Sequence, residues 1–253
     1  MELQGAVCIV TGGASGIGAA YSAALVEHGA IVYLADIAPG DTLADELTAK
    51  GPGSAYYVRT DVADERSVTA LVSVVRSAGA RVDVLVNNAA LFAAVALKPY
   101  HQIDVDEWDR VMAVNVRGMF LMCKHVGPIM SAQKRGKIIN IGSGTSIKGA
   151  PMMLAYGSSK GAVQSLTRTL ARELGADGVC VNTLAPGFTL SPTLIEANQT
   201  LVGAVQAPTV GSRSLHRDMY PDDLIGSLIF LASDASDFIT GQTILVDGGQ
   251  LNT

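Results

Sequence analysis

The chain has 253 residues, 49% apolar and 16% charged, with 27 Gly and a net charge of −5. That length suits one doubly wound α/β domain and is ample for a large core. The acidic balance and the lack of a basic cluster exclude a sequence-independent pull toward nucleic acid or anionic lipid, so neither partner is expected.

Short β-rich apolar runs alternate with longer amphipathic ones from end to end. The first strand is expected over Ala6–Val10, and the Gly-rich turn Thr11–Gly18 leads from it into a helix over residues 16–29. A second strand over Ile31–Ala35 stops at Asp36, and a helix over 41–50 follows. Next come a strand at Ala55–Arg59, a helix over 64–78, a strand at Val82–Val86 and a long helix over 106–133. The pattern then gives a strand at Lys137–Ile141, a helix over 152–175, a strand at Val179–Leu184, a helix over 221–233 and a last strand at Thr243–Val246. Such βαβ repetition implies α/β architecture, one doubly wound domain over residues 1–253 whose seven-stranded parallel sheet has helices on both faces. Residues 188–216 break the rhythm. They are longer than an ordinary connection and follow a strand's carboxyl end, where such sheets bind ligands, so they read as a substrate lid.

Cys8, Cys123 and Cys180 are odd in number and far apart, which reads as buried thiols in a reducing compartment. No basic, then apolar leader opens the chain, and no uncharged apolar stretch is long enough to span a bilayer. A soluble, cytoplasmic protein is expected. His28, His101, His125 and His216 are scattered without ligand spacing, so no metal is expected.

The turn after the first strand has the context of a phosphate-binding loop. Gly12, Gly16 and Gly18, spaced Gly-x-x-x-Gly-x-Gly, let the backbone approach a pyrophosphate at a helix N-terminus. Asp36, eighteen residues after Gly18, can accept hydrogen bonds from an adenosine ribose. Its charge would repel a 2′-phosphate, and Ala14, Ser15 and Ile37 offer no cation, so NAD is expected over NADP.

Tyr156 and Lys160 lie four apart on one helical face, so the ammonium can stabilise a phenolate. Lowering the phenol from about 10 to about 7 needs roughly 4 kcal/mol, from a buried lysine together with a charged nicotinamide. Tyr156 would then act as acid or base near neutral pH.

With Ser143 thirteen residues before Tyr156, these motifs resemble, over essentially the whole chain, the short-chain dehydrogenase/reductase family, which has a Rossmann-like fold. The resemblance implies that Thr11–Gly18, with Ser15 and Ile17, is the cofactor turn and that Asp61-Val62 holds the adenine. Asn87-Asn88-Ala89-Ala90 matches the stretch after the fourth strand, with Asn88 toward the cofactor and Ala90 where the family usually has Gly. Asn115, Ser143, Tyr156 and Lys160 match the catalytic set, with Asn115 holding a water that links Lys160 to solvent. Pro186-Gly187 matches the turn below the nicotinamide, and Thr189 and Ser191 stand where relatives contact its carboxamide. The ending, Ile239-Thr240-Gly241-Gln242 through Val246-Asp247-Gly248-Gly249, resembles the family's last strand and tail, a region that helps build a tetramer in relatives, so a homotetramer is implied.

Around Ser143, Thr145, Met153, Tyr156 and Phe188 the expected substrate wall is apolar. It includes Leu91, Phe92, Val95, Ala96, Ile147, Met152, Leu190, Leu194, Ile195, Leu201 and Val202. Between 188 and 211 there is no Lys or Arg, which favours a neutral, bulky, alicyclic or aromatic secondary alcohol or its ketone. An NADPH-dependent 3-oxoacyl thioester reductase is the alternative, with Lys98, Lys148 and Arg213 as candidate rim cations. A catalytically silent cofactor-binding protein is a third reading, and it would be expected to have lost Tyr156 or Lys160.

Overall fold

A computed structural model describes residues 3–79, 81–93 and 97–251. Seven strands form one parallel sheet: β1 (Val7–Thr11), β2 (Ile31–Asp36), β3 (Ser54–Arg59), β4 (Val84–Asn87), β5 (Gly136–Ile141), β6 (Val179–Pro186) and β7 (Thr243–Val246). Their spatial order is β3-β2-β1-β4-β5-β6-β7. Every residue of β1, β5 and β6 is buried, as expected for a parallel sheet covered on both faces.

Alternate residues of these strands feed two cores. On one face Val10, Val32, Leu34 and Val86 pack with Tyr21 and Leu25 of α1 (Gly16–Glu27) and with Leu228 and Ile229 near the C-terminus. On the other, Ile9, Leu85, Ile138 and Val181 pack with Leu71 and Val75 of α3 (Glu65–Gly79), and with residues of two longer helices described next. The strand period of two thus assigns each apolar residue to a helix layer. The short α2 (Asp41–Lys50) lies between β2 and β3 in sequence.

The helix expected over 106–133 is interrupted. It runs as α4 (Val105–Met112), a π-helical turn (Ala113–Gly118) and α5 (Met119–Gln133). The widened turn is centred on Asn115, and π-bulges of this kind recur at functional sites. After β5 comes one helical turn, α6 (Thr145–Lys148), then α7 (Leu154–Leu174).

Residues 188–216 contain two helices that periodicity did not reveal, α8 (Pro192–Ala197) and α9 (Gln199–Ser212). Both have side-chain caps: Ser191 accepts from Leu194 N at 3.2 Å, and Asn198 from Leu201 N at 2.9 Å. Their shortness, and Pro208 inside α9, hid them from a reading based on apolar spacing. The last helix, α10 (Ile225–Ala232), follows a 3₁₀ turn at Pro221–Leu224.

Strand β1 pairs with both β2 and β4, so the chain reverses direction across the sheet there. Thr11, Asp36 and Asn87 end their strands on the same edge, where open α/β sheets leave a ligand crevice. Among the described residues no helix is long and apolar enough to cross a membrane. Cys8, Cys123 and Cys180 are all free and buried.

Candidate active site

The glycine turn leaves β1 and enters α1 in a conformation that side chains would block. Gly12 and Gly16 have φ of +62° and +54°, and a Cβ on Gly18 would lie 1.9 Å from the Gly12 carbonyl oxygen. Ser15 caps α1 without a side-chain hydrogen bond, and no acidic residue occupies the first turn, so the helix N-terminus stays free for an anion. The next loop is stitched to the turn. Thr11 Oγ1 accepts from Asn88 N and Ala89 N, each at 3.0 Å, while Asn88 Nδ2 donates to Thr11 O at 3.0 Å and Gly12 O at 3.2 Å.

Asp36 is buried at the end of β2. Its carboxylate accepts from Ala14 N and Ala38 N, each at 3.0 Å, which aims it into the crevice beside the turn. Arg59 stands opposite Asp36 across the β2–β3 ladder but is exposed and outside the cavity lining.

At the other end of the crevice, Ser143 follows β5 and its hydroxyl donates to Thr145 Oγ1 at 2.9 Å. Tyr156 and Lys160 come from successive turns of α7, and both are buried. Lys160 Nζ lies 5.7 Å from the Tyr156 ring centroid and donates to Ile141 O at 2.7 Å. The Phe92 ring packs 4.9 Å from that of Tyr156, centroid to centroid. Burial pushes the Tyr156 phenol up to about 12, opposed by a hydrogen bond with Ser143. Burial alone brings the Lys160 ammonium down to about 8. In the chain by itself, desolvation of the phenolate therefore dominates, and the lowering expected from a buried lysine together with a charged nicotinamide rests on the second of these.

Asn115 sits below the cavity and does not line it. Its Oδ1 accepts from Leu91 N at 2.7 Å, and its Nδ2 donates to Leu91 O at 3.3 Å and Ser159 Oγ at 3.1 Å. Ser159 in turn donates to Tyr156 O at 2.7 Å, so the π-turn is clamped to the helix carrying the phenol.

The crevice encloses about 550 Å³. Its lining includes Gly12, Ser15, Gly16, Ile17, Gly18, Asp36, Asp61, Val62, Asn88 and Ala90, then Ser143, Thr145, Met153, Tyr156, Lys160, Pro186, Gly187, Phe188, Thr189 and Ser191. Of the expected apolar wall, Leu91, Phe92, Met152, Leu194 and Leu201 also line it; Ile147, Leu190, Ile195 and Val202 do not. Val95 and Ala96 lie outside the described residues. Val205, Lys148 and Gln250 line it as well. The start of α8 lies against the glycine turn, since a Cβ on Gly16 would come within 3.4 Å of Thr193 Oγ1.

Several supporting residues carry no motif. Arg213 is buried and donates to Phe188 O at 2.7 Å and Arg217 O at 2.9 Å, tying the end of 188–216 to the turn after β6. Under the site runs a buried polar chain: Asn87 Nδ2 to Asn140 Oδ1 at 2.9 Å, Asn140 Nδ2 to Thr167 Oγ1 at 2.9 Å, and Thr167 to Thr183 at 2.8 Å. The polar residues inside apolar strands were its only sequence signal. Met152, at φ +63°, adopts left-handed backbone in the cavity wall, where its carbonyl accepts from Lys98 N at 3.1 Å.

Residues 12–250 match the family model described as enoyl-(acyl carrier protein) reductase. The chain is 38% identical to a cis-4-hydroxycyclohexanecarboxylate dehydrogenase of Sinomonas cyclohexanicum, covering 96% of this chain and 95% of that protein. It is 35% identical to a cyclopentanol dehydrogenase of Comamonas sp., covering 96% of each. It is equally 35% identical to the 3-oxoacyl-[acyl-carrier-protein] reductase FabG of Thermotoga maritima, covering 98% and 99%. Among solved structures, one described as an NAD(P)-dependent gluconate 5-dehydrogenase from Beutenbergia cavernae, with bound NADP at low occupancy, superposes with a TM-score of 0.91. It shares 35% identity and is covered over 99% of its length, against 100% of this chain.

Proposed function

Because the chain belongs to the short-chain dehydrogenase/reductase family of oxidoreductases, we propose that it interconverts a bulky secondary alcohol, alicyclic or aromatic, and its ketone, using NAD. The observation that carries this reading is the convergence of Ser143, Tyr156 and Lys160 on one end of a largely apolar cavity whose other end carries Asp36. The relatives named for cyclic alcohols support it, and the FabG relative supports the same chemistry on a thioester.

The residues present fit a dinucleotide. The Gly12–Gly18 turn and free α1 N-terminus would take the pyrophosphate, Asp36 the adenosine ribose, Asp61 and Val62 the adenine, and Pro186, Gly187, Thr189 and Ser191 the nicotinamide side. When bound, the nicotinamide supplies the carbon that accepts or gives up hydride. In the reductive direction Tyr156, a neutral phenol in its buried setting, protonates the substrate oxygen, and Ser143 donates a hydrogen bond that offsets charge developing there. In the oxidative direction Tyr156 removes the alcohol proton as phenolate, which is favoured by rising pH and by cationic charge at Lys160. Lys160 would also hold the nicotinamide ribose hydroxyls. Asn115 serves the proton route to solvent; both its amide protons are spent on Leu91 and Ser159, so only its remaining acceptor capacity serves a water.

For NAD over NADP the support is Asp36, which offers a carboxylate where a 2′-phosphate would need a cation, with Arg59 turned outside the lining. Against the thioester alternative, Lys98 is paired with Glu107 and Asp104, and Arg213 is spent on backbone carbonyls. Of the three rim cations that reading needs, Lys148 alone has neither an ion pair nor a side-chain hydrogen bond among the described residues. A silent binding protein is disfavoured by the intact Tyr156 and Lys160. We further propose that residues 188–216 act as a lid within a single domain, and that the protein is cytoplasmic and tetrameric. The exposed Phe120 on α5 and Leu154 on α7 support a contact between copies.

The test is cofactor reduction with NAD⁺ and, separately, NADP⁺ across cyclic, aromatic and linear secondary alcohols, alongside NADPH-dependent reduction of a 3-oxoacyl thioester. Turnover of ring alcohols with NAD⁺ is the expected result. Reduction of the thioester alone, with NADPH, would replace this reading by the alternative.

A further inference from the structure

Four charged side chains line the cavity: Asp36, Asp61, Lys148 and Lys160. Both carboxylates belong to the adenosine end. Lys160 is bonded to Ile141 O beneath Tyr156. That leaves Lys148 as the cation of the substrate side, at the last residue of α6, one helical turn beyond Thr145.

The surroundings of Lys148 are short of negative charge. Among the described residues no carboxylate lies within ion-pair distance of its ammonium. The neighbouring Asp247 already accepts from Gly249 N, Gln250 N and Leu251 N at 2.9, 3.1 and 3.0 Å. Arg213, the other nearby ion, is cationic and buried, and it donates to the neutral carbonyls of Phe188 and Arg217. Partial burial lowers the Lys148 pKa, with Asp247 opposing and Arg213 adding to the effect. Apart from Ser143, Thr145, Tyr156 and Gln250, the wall at this end is largely apolar, with Leu91, Phe92, Met152, Phe188, Leu194 and Val205. Lys148 is exposed at the mouth of the cavity, and an unpaired ammonium at that rim, with the neighbouring Asp247 otherwise engaged, can receive an anionic group from a ligand in the chamber.

Resting on the reading just given, we propose that Lys148 is a specificity-determining residue that receives a carboxylate carried by the substrate ring, remote from the carbinol held at Ser143 and Tyr156. The substrate is then a hydroxylated ring acid, and its neutral analogue is the poorer ligand. The expectation of a neutral substrate counted cations only between 188 and 211, and Lys148 reaches the same chamber from the loop after β5.

The experiment measures binding without turnover. Calorimetry on enzyme saturated with NADH compares a cyclohexanol bearing a carboxylate at ring position three or four with the matching carboxamide. Wild type is expected to bind the carboxylate about tenfold to a hundredfold more tightly, the range of one charge-assisted hydrogen bond. Lys148→Met should bring that ratio close to one and Lys148→Arg should keep it; because both ligands are read on the same protein, a folding defect does not mimic the loss. Equal affinities in wild type, no detectable binding of either ligand, or a preference that survives in Lys148→Met would overturn the proposal. Oxidation of unsubstituted cyclohexanol by NAD⁺ is followed in parallel. Its absence alongside an intact carboxylate preference counts against the alcohol dehydrogenase reading alone, and its presence without the preference counts against Lys148 alone.

Discussion

The two ends of the crevice are built in opposite ways. At the end proposed for the adenosine the groups on offer are mainly backbone, a glycine turn and a helix N-terminus, joined by the Asp36 carboxylate, which Ala14 N and Ala38 N hold in place. At the chemical end they come from side chains on different elements: Ser143 after β5, Tyr156 and Lys160 on α7, Phe92 after β4, and the wall from α6, α8 and α9. A backbone site leaves a local trace in the sequence, because only glycine fits there and neighbours supply the rest. A side-chain site is specified by packing between distant segments, so its residues are legible only where their chemistry is unusual.

This contrast predicts separable losses. Tyr156→Phe should cut turnover by about 10²-fold or more, as for a lost general acid or base, while NADH binding persists. Fluorescence titration of NADH beside steady-state rates checks it, and loss of both together would mean that the two ends are not independent.

Lys160 links the ends, and its burial has a signed consequence for stability. Between about 8 and 10.5 the folded chain has released a proton that the unfolded chain still holds, so the unfolded state binds more protons and stability rises with pH. The gain reaches about 3 kcal/mol, since each tenfold change in proton affinity is worth about 1.4 kcal/mol. Tyr156 acts in the other direction between about 10 and 12, where only the unfolded chain is ionised. Urea unfolding from pH 7 to 10.5 should show the stability of wild type rising relative to Lys160→Met, because the buried Cys8 and Cys123 thiols, pushed up by burial, lower the stability of both proteins alike.

The smallest effect concerns the buried polar chain beneath both ends. Asn140→Ala removes one partner from Asn87 Nδ2, which keeps Cys123 Sγ at 3.4 Å, and one from Thr167 Oγ1, which keeps Thr183, so the two lost hydrogen bonds should cost about 1–3 kcal/mol of unfolding free energy. Cofactor affinity should stay within a fewfold of wild type. A larger fall in affinity would make the polar chain part of the adenosine end rather than its support.

What was readable in the sequence follows the same division. The strand starts and ends agree with the expected ones within about two residues, because parallel strands buried on both faces are continuous apolar runs that Gly, Asp and Asn punctuate. The glycine turn, Asp36, Ser143, Tyr156 and Lys160 stood in spaced motifs, and they meet in one cavity. The π-turn at Asn115 was hidden, since one extra residue in a helix leaves apolar periodicity nearly intact. Helices α8 and α9 were hidden because each is short and relies on its cap and its packing. Arg213 was a candidate rim cation and Ser159 looked like an ordinary helix residue, and only the fold buries them. The ionisation of Tyr156 also escaped the sequence: a lysine four residues away says nothing of how dry the pair becomes.

The central claim is hydride transfer from a ring carbinol to NAD. Incubating the enzyme with NAD⁺ and a cyclohexanol deuterated at the carbinol carbon, followed by mass analysis of the nucleotide, tests it most directly. The account predicts reduced nucleotide one mass unit heavier than that from the unlabelled alcohol, with Tyr156→Phe forming it far more slowly. Reduced nucleotide without the label, or none from any ring alcohol, would contradict it.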